Sequence, residues 1–381
     1  IVYESGDNEK VSSRTLNRYR CTDTDRDITR RMTRLSTRLQ RANSIRENKN
    51  KPSAAGGKLP GHFAMAVYDK ATGKMIDYKQ LINHEDKQTR EWWQKSSSNE
   101  FGKLLKGVGR NEDGSQRVTG SDTFHFIKRM HVPTGKKVTY ARFCCDVRLQ
   151  KDDINRTRLT VGGDRLPYEG KTSTETAGLE TIKIHLNSTI STKDAKYATA
   201  DIGNFYTNSK LKTPEYMKIH ISLIPQEIID EYDVKQYVNE DGYVYVEITG
   251  AMYGLSASGY IANQDLQKHL AKYDYYPTKQ TPGVWKHRTR PISFTLVVDD
   301  FGVKFTNKDD IDHLFAAIKE KYPLKIDWDG TKYIGIDLEW NYNKREVKLS
   351  MKGYVTRALK KFHHPTPTKH HYGPTKYVHI T

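Results

Sequence analysis

Cysteine is scarce in this chain: its 381 residues include three, Cys21 and the adjacent pair Cys144 and Cys145. Three thiols cannot form a disulfide framework or, by themselves, a four-ligand zinc site, and a reducing, intracellular setting is expected. Long apolar runs are missing too. Stretches such as FTLVV at 294–298 fall far short of the ~20 residues that cross a bilayer, so no membrane partner is expected. Acidic residues are short only at the ends. Residues 351–381 hold 6 Lys and Arg and no Asp or Glu, and residues 1–60 hold 14 against 7.

Those two deficits account for most of the net charge of +17 and leave about +4 for residues 61–350. The excess as a whole points to a polyanionic partner. Both ends have the composition of flexible cationic arms, the first rich in Ser, Thr, Arg and Asn, the last carrying Pro365, Pro367, Pro374 and five His. Mean hydropathy is low, −0.79. Even so, 24 Tyr, 11 Phe and 5 Trp supply the aromatic area of a core, and two domains or subdomains are expected.

Along the chain, residues 27–48 set Ile28, Met32, Leu35 and Leu39 at helical spacing among arginines, and the Pro, Gly and Ser content of 48–61 marks a linker. KATGK between two mixed segments predicts a hairpin. Residues 83–107 read as a polar helix that packs through Trp92, Trp93, Phe101 and Leu105. Strands are expected within 136–149, 156–166, 195–206 and 242–250, the last alternating strictly. A helix is expected over 256–273, opened by a serine cap, with Ala262, Leu266 and Leu270 every fourth residue. Two apolar runs within 292–306 meet at Asp299 and Asp300, the pattern of a hairpin with acids at its tip. Asn307 then caps a helix whose apolar stripe is Ile311, Leu314, Phe315 and Ile318, and a hairpin follows around NYNK. There is no internal repeat. From 195 to 351 this order predicts an α+β sheet of the split βαβ type with helices on one face.

Asp299 and Asp300 follow Leu296, Val297 and Val298 and precede Phe301, with no basic residue before Lys304. Their mutual repulsion is poorly relieved by the protein, and a bound cation would relieve it. Mg²⁺ is satisfied by one or two carboxylates plus substrate phosphates, and two such ions can activate a hydroxyl and stabilise leaving pyrophosphate. Asp201 ends an apolar strand, YATAD, that could pair beside the hairpin and supply a third acid. The plainer alternative is an ordinary turn, which aspartate favours.

The segments ATADIGNFY, GYVYVEITGAMYGL, TPGVWKH, FTLVVDDFGVKF, KYIGIDLEW and KLSMKGYVTRALKKF stand in an order and at spacings that resemble the reverse transcriptase of copia-type LTR retrotransposons, over about 120–365. The resemblance implies an RNA-directed DNA polymerase, a nucleotidyltransferase with a right-hand fold and a ferredoxin-like split βαβ palm. It implies fingers over 121–194, a palm over 195–350 with a fingers insertion at about 210–250, and the start of a thumb with a basic tail over 351–381. Residues 61–120 would be an extension packing on the fingers, after a basic segment over 1–60. Asp201 and Asp299 would be metal-binding and catalytic, with Asp300 beside them and the main-chain carbonyl of Ile202 as a further metal ligand, for two Mg²⁺ or alternatively Mn²⁺. Tyr206 matches an aromatic steric gate that excludes a 2′-hydroxyl; a core tyrosine is the alternative. Arg156 and Arg158 match the fingers residues that grip the triphosphate through paired N–H donors, against an exposed strand face. Lys360 and Lys361 would contact the primer backbone.

One departure stands out: where the family has Gln two residues after YGL, this sequence has Ala257. Either a neighbour such as Ser258 substitutes in nucleotide binding, or the element copy is weakened. The partners implied are an RNA template, a DNA primer, dNTPs, and the integrase and RNase H segments of the same polyprotein. The setting implied is a cytoplasmic virus-like particle or the nucleus. A non-catalytic nucleic-acid-binding remnant and an RNA-templated RNA polymerase are the rival readings, the second opposed by Tyr206.

Overall fold

The computed structural model describes residues 66–69, 72–148, 153–351, 353, 354 and 356. The helix expected over 27–48, the linker at 48–61, Cys21, and Lys360 and Lys361 all lie outside the described residues. A hairpin of β1 (Val67–Asp69) and β2 (Lys74–Ile76) forms around KATGK, followed by helices α1 (Tyr78–Ile82) and α2 (Lys87–Leu104). A second hairpin, β3 (Gly107–Arg110) and β4 (Gln116–Thr119), leads into β5 (Phe124–Ile127), β6 (Val138–Val147) and β7 (Asn155–Val161). Helix α3 (Leu179–Ser191) precedes β8 (Lys196–Ile202), and β9 (Lys210–His220) and β10 (Tyr243–Gly250) flank α4 (Gln226–Glu231). Then come α5 (Ser258–Ala271), β11 (Tyr275–Pro277), β12 (Val284–His287), β13 (Ser293–Val297), β14 (Asp300–Phe305) and α6 (Lys308–Lys319). The last strands are β15 (Leu324–Asp327), β16 (Lys332–Tyr333), β17 (Ile336–Asn341) and β18 (Glu346–Ser350).

Two larger sheets organise these elements. The first has five strands in the order β5-β10-β9-β6-β7. Alternation along β10 sends Val244, Val246 and Ile248 into a core shared with Leu159 and Val161 of β7 and with Phe101 of α2. Strand β7 is an edge, whose outward N–H groups would otherwise face solvent. Helix α2 caps that edge: the Ser96 hydroxyl accepts from the Thr157 N–H at 2.8 Å, and the Glu100 carboxylate from the Leu159 N–H at 3.1 Å. Trp93 and Leu105 are buried as their spacing predicts, whereas Trp92 is exposed.

The second sheet has six strands in the order β11-β12-β13-β14-β8-β15, with every pairing antiparallel. In chain order β8, α5, β13, β14, α6 and β15 make two split βαβ units, and their spatial order β13-β14-β8-β15 is the ferredoxin-like one. Ala198, Ala200 and Ile202 of β8 face Ala262, Leu266 and Leu270 of α5 and the Ile311, Leu314, Phe315 and Ile318 stripe of α6. Helices are not confined to that face. Tyr197 points the other way and packs with Ile182 and Leu186 of α3 and with Tyr333 and Leu338 of the β16-β17-β18 sheet. A buried tyrosine on the second face needs an apolar cover, and α3 supplies it, so residues 179–191 go with the six-stranded sheet. Strands β9 and β10, although flanked in sequence by β8 and α5, go with the five-stranded one.

Asn307 caps α6 as expected, its side chain accepting from the Asp309 N–H at 3.1 Å. The serine cap expected for α5 is absent. Ala257 occupies the cap position, with no side-chain hydrogen bond, and the Ser258 hydroxyl instead donates to the Met252 carbonyl at 2.6 Å. Ser256, the expected cap, lies one residue before the cap position, because the helix begins at Ser258.

Candidate active site

Asp201 is the last residue but one of β8, and in the β8–β14 register it is paired directly with Asp300. Paired residues share a face, so both acids leave the sheet on the side opposite α5 and α6, while Ala200, Ile202 and Phe301 enter the core. Val297 pairs with Asp300, which leaves Val298 and Asp299 as a two-residue turn. Val298 adopts φ +60, a region that costs a β-branched residue about 1–2 kcal/mol. The Asp299 carbonyl accepts from the Ile202 N–H at 3.0 Å, which pins the turn to the end of β8. Only the main chain of Ile202 is available to the acids, because its side chain lies in the core.

The three carboxylates repel one another. Burial raises the Asp299 pKa, with Asp201 adding to the rise and Arg158 opposing it. Burial, Asp299 and Asp201 push Asp300 up to about 6. Among the described residues no ion pair engages any of the three. They do not form a preassembled cage of three or more metal-ligating side chains. Their chemistry nonetheless fits Mg²⁺, which takes one or two carboxylates and fills its remaining positions with water and substrate phosphate.

Beside the acids stands a stack that joins the two sheets. Tyr206 opens a 3₁₀ turn after β8 (Tyr206–Asn208), and its ring lies 5.0 Å from that of Tyr253. The Arg158 guanidinium sits over the other ring of this pair, 4.7 Å from the Tyr253 centroid. Asp299 and Arg158 both act electrostatically on Tyr206 and Tyr253, and burial raises the pKa of each phenol. Arg156, two residues before Arg158, shares its strand face. Burial and then Arg158 and Arg148 lower its pKa. Tyr206, Arg158 and Asp299 are therefore neighbours, as are Asp201 and Asp300; Arg156 stands further along β7.

Glu100 carries no signal in the sequence motifs, and Tyr253 enters them only as the first residue of YGL, with no role of its own; the glycine that follows it is a clue. Gly254 has φ +98, and a Cβ there would come within 2.0 Å of the Val161 carbonyl. The Val161 N–H donates to the Tyr253 carbonyl at 2.8 Å, so the approach of the β10–α5 connection to the end of β7 requires a residue without a side chain. Glu100 is held by Leu159 within electrostatic reach of Lys103, Arg158 and Arg156, and burial raises its pKa.

Ala257 is buried and lines a cavity of about 590 Å³ between α5, the start of β9 and residues 166–168. Asp201, Asp299, Asp300, Arg158 and Tyr206 are not among the residues that line this cavity. Ser258 is no substitute for the missing amide, because it is buried and its hydroxyl is spent on Met252. Lys136, Lys210, Lys212 and Lys268 surround the cavity, above Leu211 and Ile261. Lys136, the Lys210 and Lys212 pair and Lys268 come from three distant segments, and only the fold gathers them.

No family model matches the sequence. Among solved structures the chain is similar to apo telomerase from Candida tropicalis truncated from the C-terminal domain, at TM-score 0.33 and 12% identity, over 68% of this chain and 60% of that one. The chain thus spans less than two thirds of that telomerase, and a likeness at this score does not define a fold. Among the described residues no helix is long and apolar enough to cross a membrane.

Proposed function

We propose that the chain is a template-directed nucleic-acid polymerase and, within that class, the RNA-directed DNA polymerase of a copia-type retrotransposon. The observation that carries this reading is the pairing of Asp201 with Asp300 in a ferredoxin-like sheet, with Asp299 held on a strained turn beside them. Backbone strain at a carboxylate tip is a feature of functional sites.

Magnesium held by Asp201, Asp299 and the substrate phosphates, with the main-chain carbonyl of Ile202 as a further oxygen donor, would activate the primer 3′-hydroxyl and stabilise the leaving pyrophosphate. Asp300 adds negative charge that strengthens cation binding. Arg158 and Arg156 offer guanidinium donors to a triphosphate. Tyr206, on the same side as Asp299, would pack against the sugar and exclude a 2′-hydroxyl. The lysine-rimmed cavity offers a cationic surface to the nucleic-acid backbone, in addition to Lys360 and Lys361. The integrase and RNase H segments of the same polyprotein are the protein partners proposed, in a virus-like particle or the nucleus.

Primer extension with dNTPs and Mg²⁺ on an RNA template tests the reading, and no incorporation by the intact chain contradicts it. A second reading, a nucleic-acid-binding remnant without catalysis, is favoured by one observation: Ala257 lacks the amide and Ser258 cannot replace it. That reading predicts salt-dependent binding with no incorporation.

A further inference from the structure

We infer that Tyr253 is a positioning residue of the nucleotide site, holding Arg158 and Tyr206 in one stack so that the triphosphate and the sugar of an incoming nucleotide are read as a unit. The inference rests on the polymerase reading and deepens it. Arg158 belongs to β7 of the five-stranded sheet and Tyr206 to the turn after β8 of the six-stranded sheet. Tyr253, between β10 and α5, touches both: its ring receives the guanidinium at 4.7 Å and meets the Tyr206 ring at 5.0 Å and 51°. Its main chain is fixed independently, through the hydrogen bond from Val161 and the close approach of Gly254 to the Val161 carbonyl. The side chain thus projects from an anchored joint between the sheets.

A stacked arginine differs from a salt-bridged one in what it leaves available. Arg117 spends its N–H groups on Glu227 and Arg290 on Asp310. Among the described residues Arg158 donates to no side chain or carbonyl, and its guanidinium carbon lies over the Tyr253 ring. Its in-plane donors remain free for phosphate oxygens. Both contacts of Tyr253 are made by the ring, so the hydroxyl should be dispensable and the aromatic face should not.

Single-nucleotide incorporation of dATP and ATP by the full chain on a primed RNA template tests this with Tyr253→Phe and Tyr253→Leu. Tyr253→Phe should keep KM for dATP within about twofold of wild type, while Tyr253→Leu should raise it about tenfold with kcat changed less than about threefold. Tyr253→Leu should also narrow the preference for dATP over ATP. Unchanged KM and preference in Tyr253→Leu, or an equal loss in Tyr253→Phe, overturns the inference while the polymerase reading stands. A wild-type chain that incorporates nothing overturns the polymerase reading and this inference with it. If Tyr253→Leu melts below the assay temperature, Tyr253→Met, which keeps the bulk without a π face, takes its place with the same two outcomes.

Discussion

Asp300 faces Asp201 across the β8–β14 pair, and the pairing sets two carboxylates side by side with a third, Asp299, on the turn that precedes them. Burial and this crowding raise the Asp300 pKa to about 6. A carboxyl whose folded pKa exceeds its unfolded value of about 3.9 stabilises the fold below that value and loses its contribution as pH rises through the folded one. Asp300→Asn should therefore match wild type near pH 4 and exceed it above about pH 6, by about 1 kcal/mol, since solvent screens a half-exposed group. Urea denaturation between pH 4 and pH 8 without divalent ions measures this; equal stability at every pH contradicts it.

The same crowding predicts metal-linked stability. At Mg²⁺ about ten times its dissociation constant, wild type should gain about 1.4 kcal/mol, seen as a higher melting temperature. Asp201→Asn and Asp299→Asn should lose most of that gain, and Asp312→Asn, on α6 at the opposite face of the sheet, should keep it. A Mg²⁺ effect equal in all four proteins would signal nonspecific binding.

Packing of the β10–α5 connection against the end of β7 depends on close backbone contact at Gly254. A Cβ there meets the Val161 carbonyl at 2.0 Å, and φ +98 is unfavourable for any side chain. Gly254→Ala should cost about 2–4 kcal/mol, whereas Gly114→Ala, whose Cβ would meet nothing within 4 Å, should cost less. Chemical denaturation of the two variants separates close approach from positive φ alone.

The hairpin bearing Asp299 and the strand carrying Asp201 are legible because both are short apolar runs that lead into an acid. The α6 stripe and its Asn307 cap were legible for the same local reason. What local pattern does not carry is register: nothing in YATAD says that Asp201 pairs with Asp300, since pairing is chosen by the whole sheet. Nor does it show that α3 covers the second face, a place set by the outward turn of Tyr197. The cap expected of Ser256 is not formed because the helix starts two residues later, at Ser258, which puts Ala257 at the cap position. YGL marks Tyr253 without showing what its ring touches, and no local pattern groups the four cavity lysines, because the partners in both cases come from distant segments.

Nucleic-acid binding should depend on the lysine-rimmed cavity. Lys212→Ala and Lys268→Ala, at residues lining it, should each lower the slope of log affinity against log salt for a single strand by about 0.7. Fluorescence anisotropy over a salt series checks this, and an unchanged slope in both variants removes the cavity from the interface.

The most direct measurement is primer extension on an RNA template with Mg²⁺ and dNTPs, comparing wild type with Asp201→Asn and Asp299→Asn, each first shown to be folded by its melting curve. The paired acids predict incorporation by wild type and a loss of at least about a hundredfold in either variant. Incorporation by Asp299→Asn at the wild-type rate would contradict the assignment of this cluster as the catalytic centre.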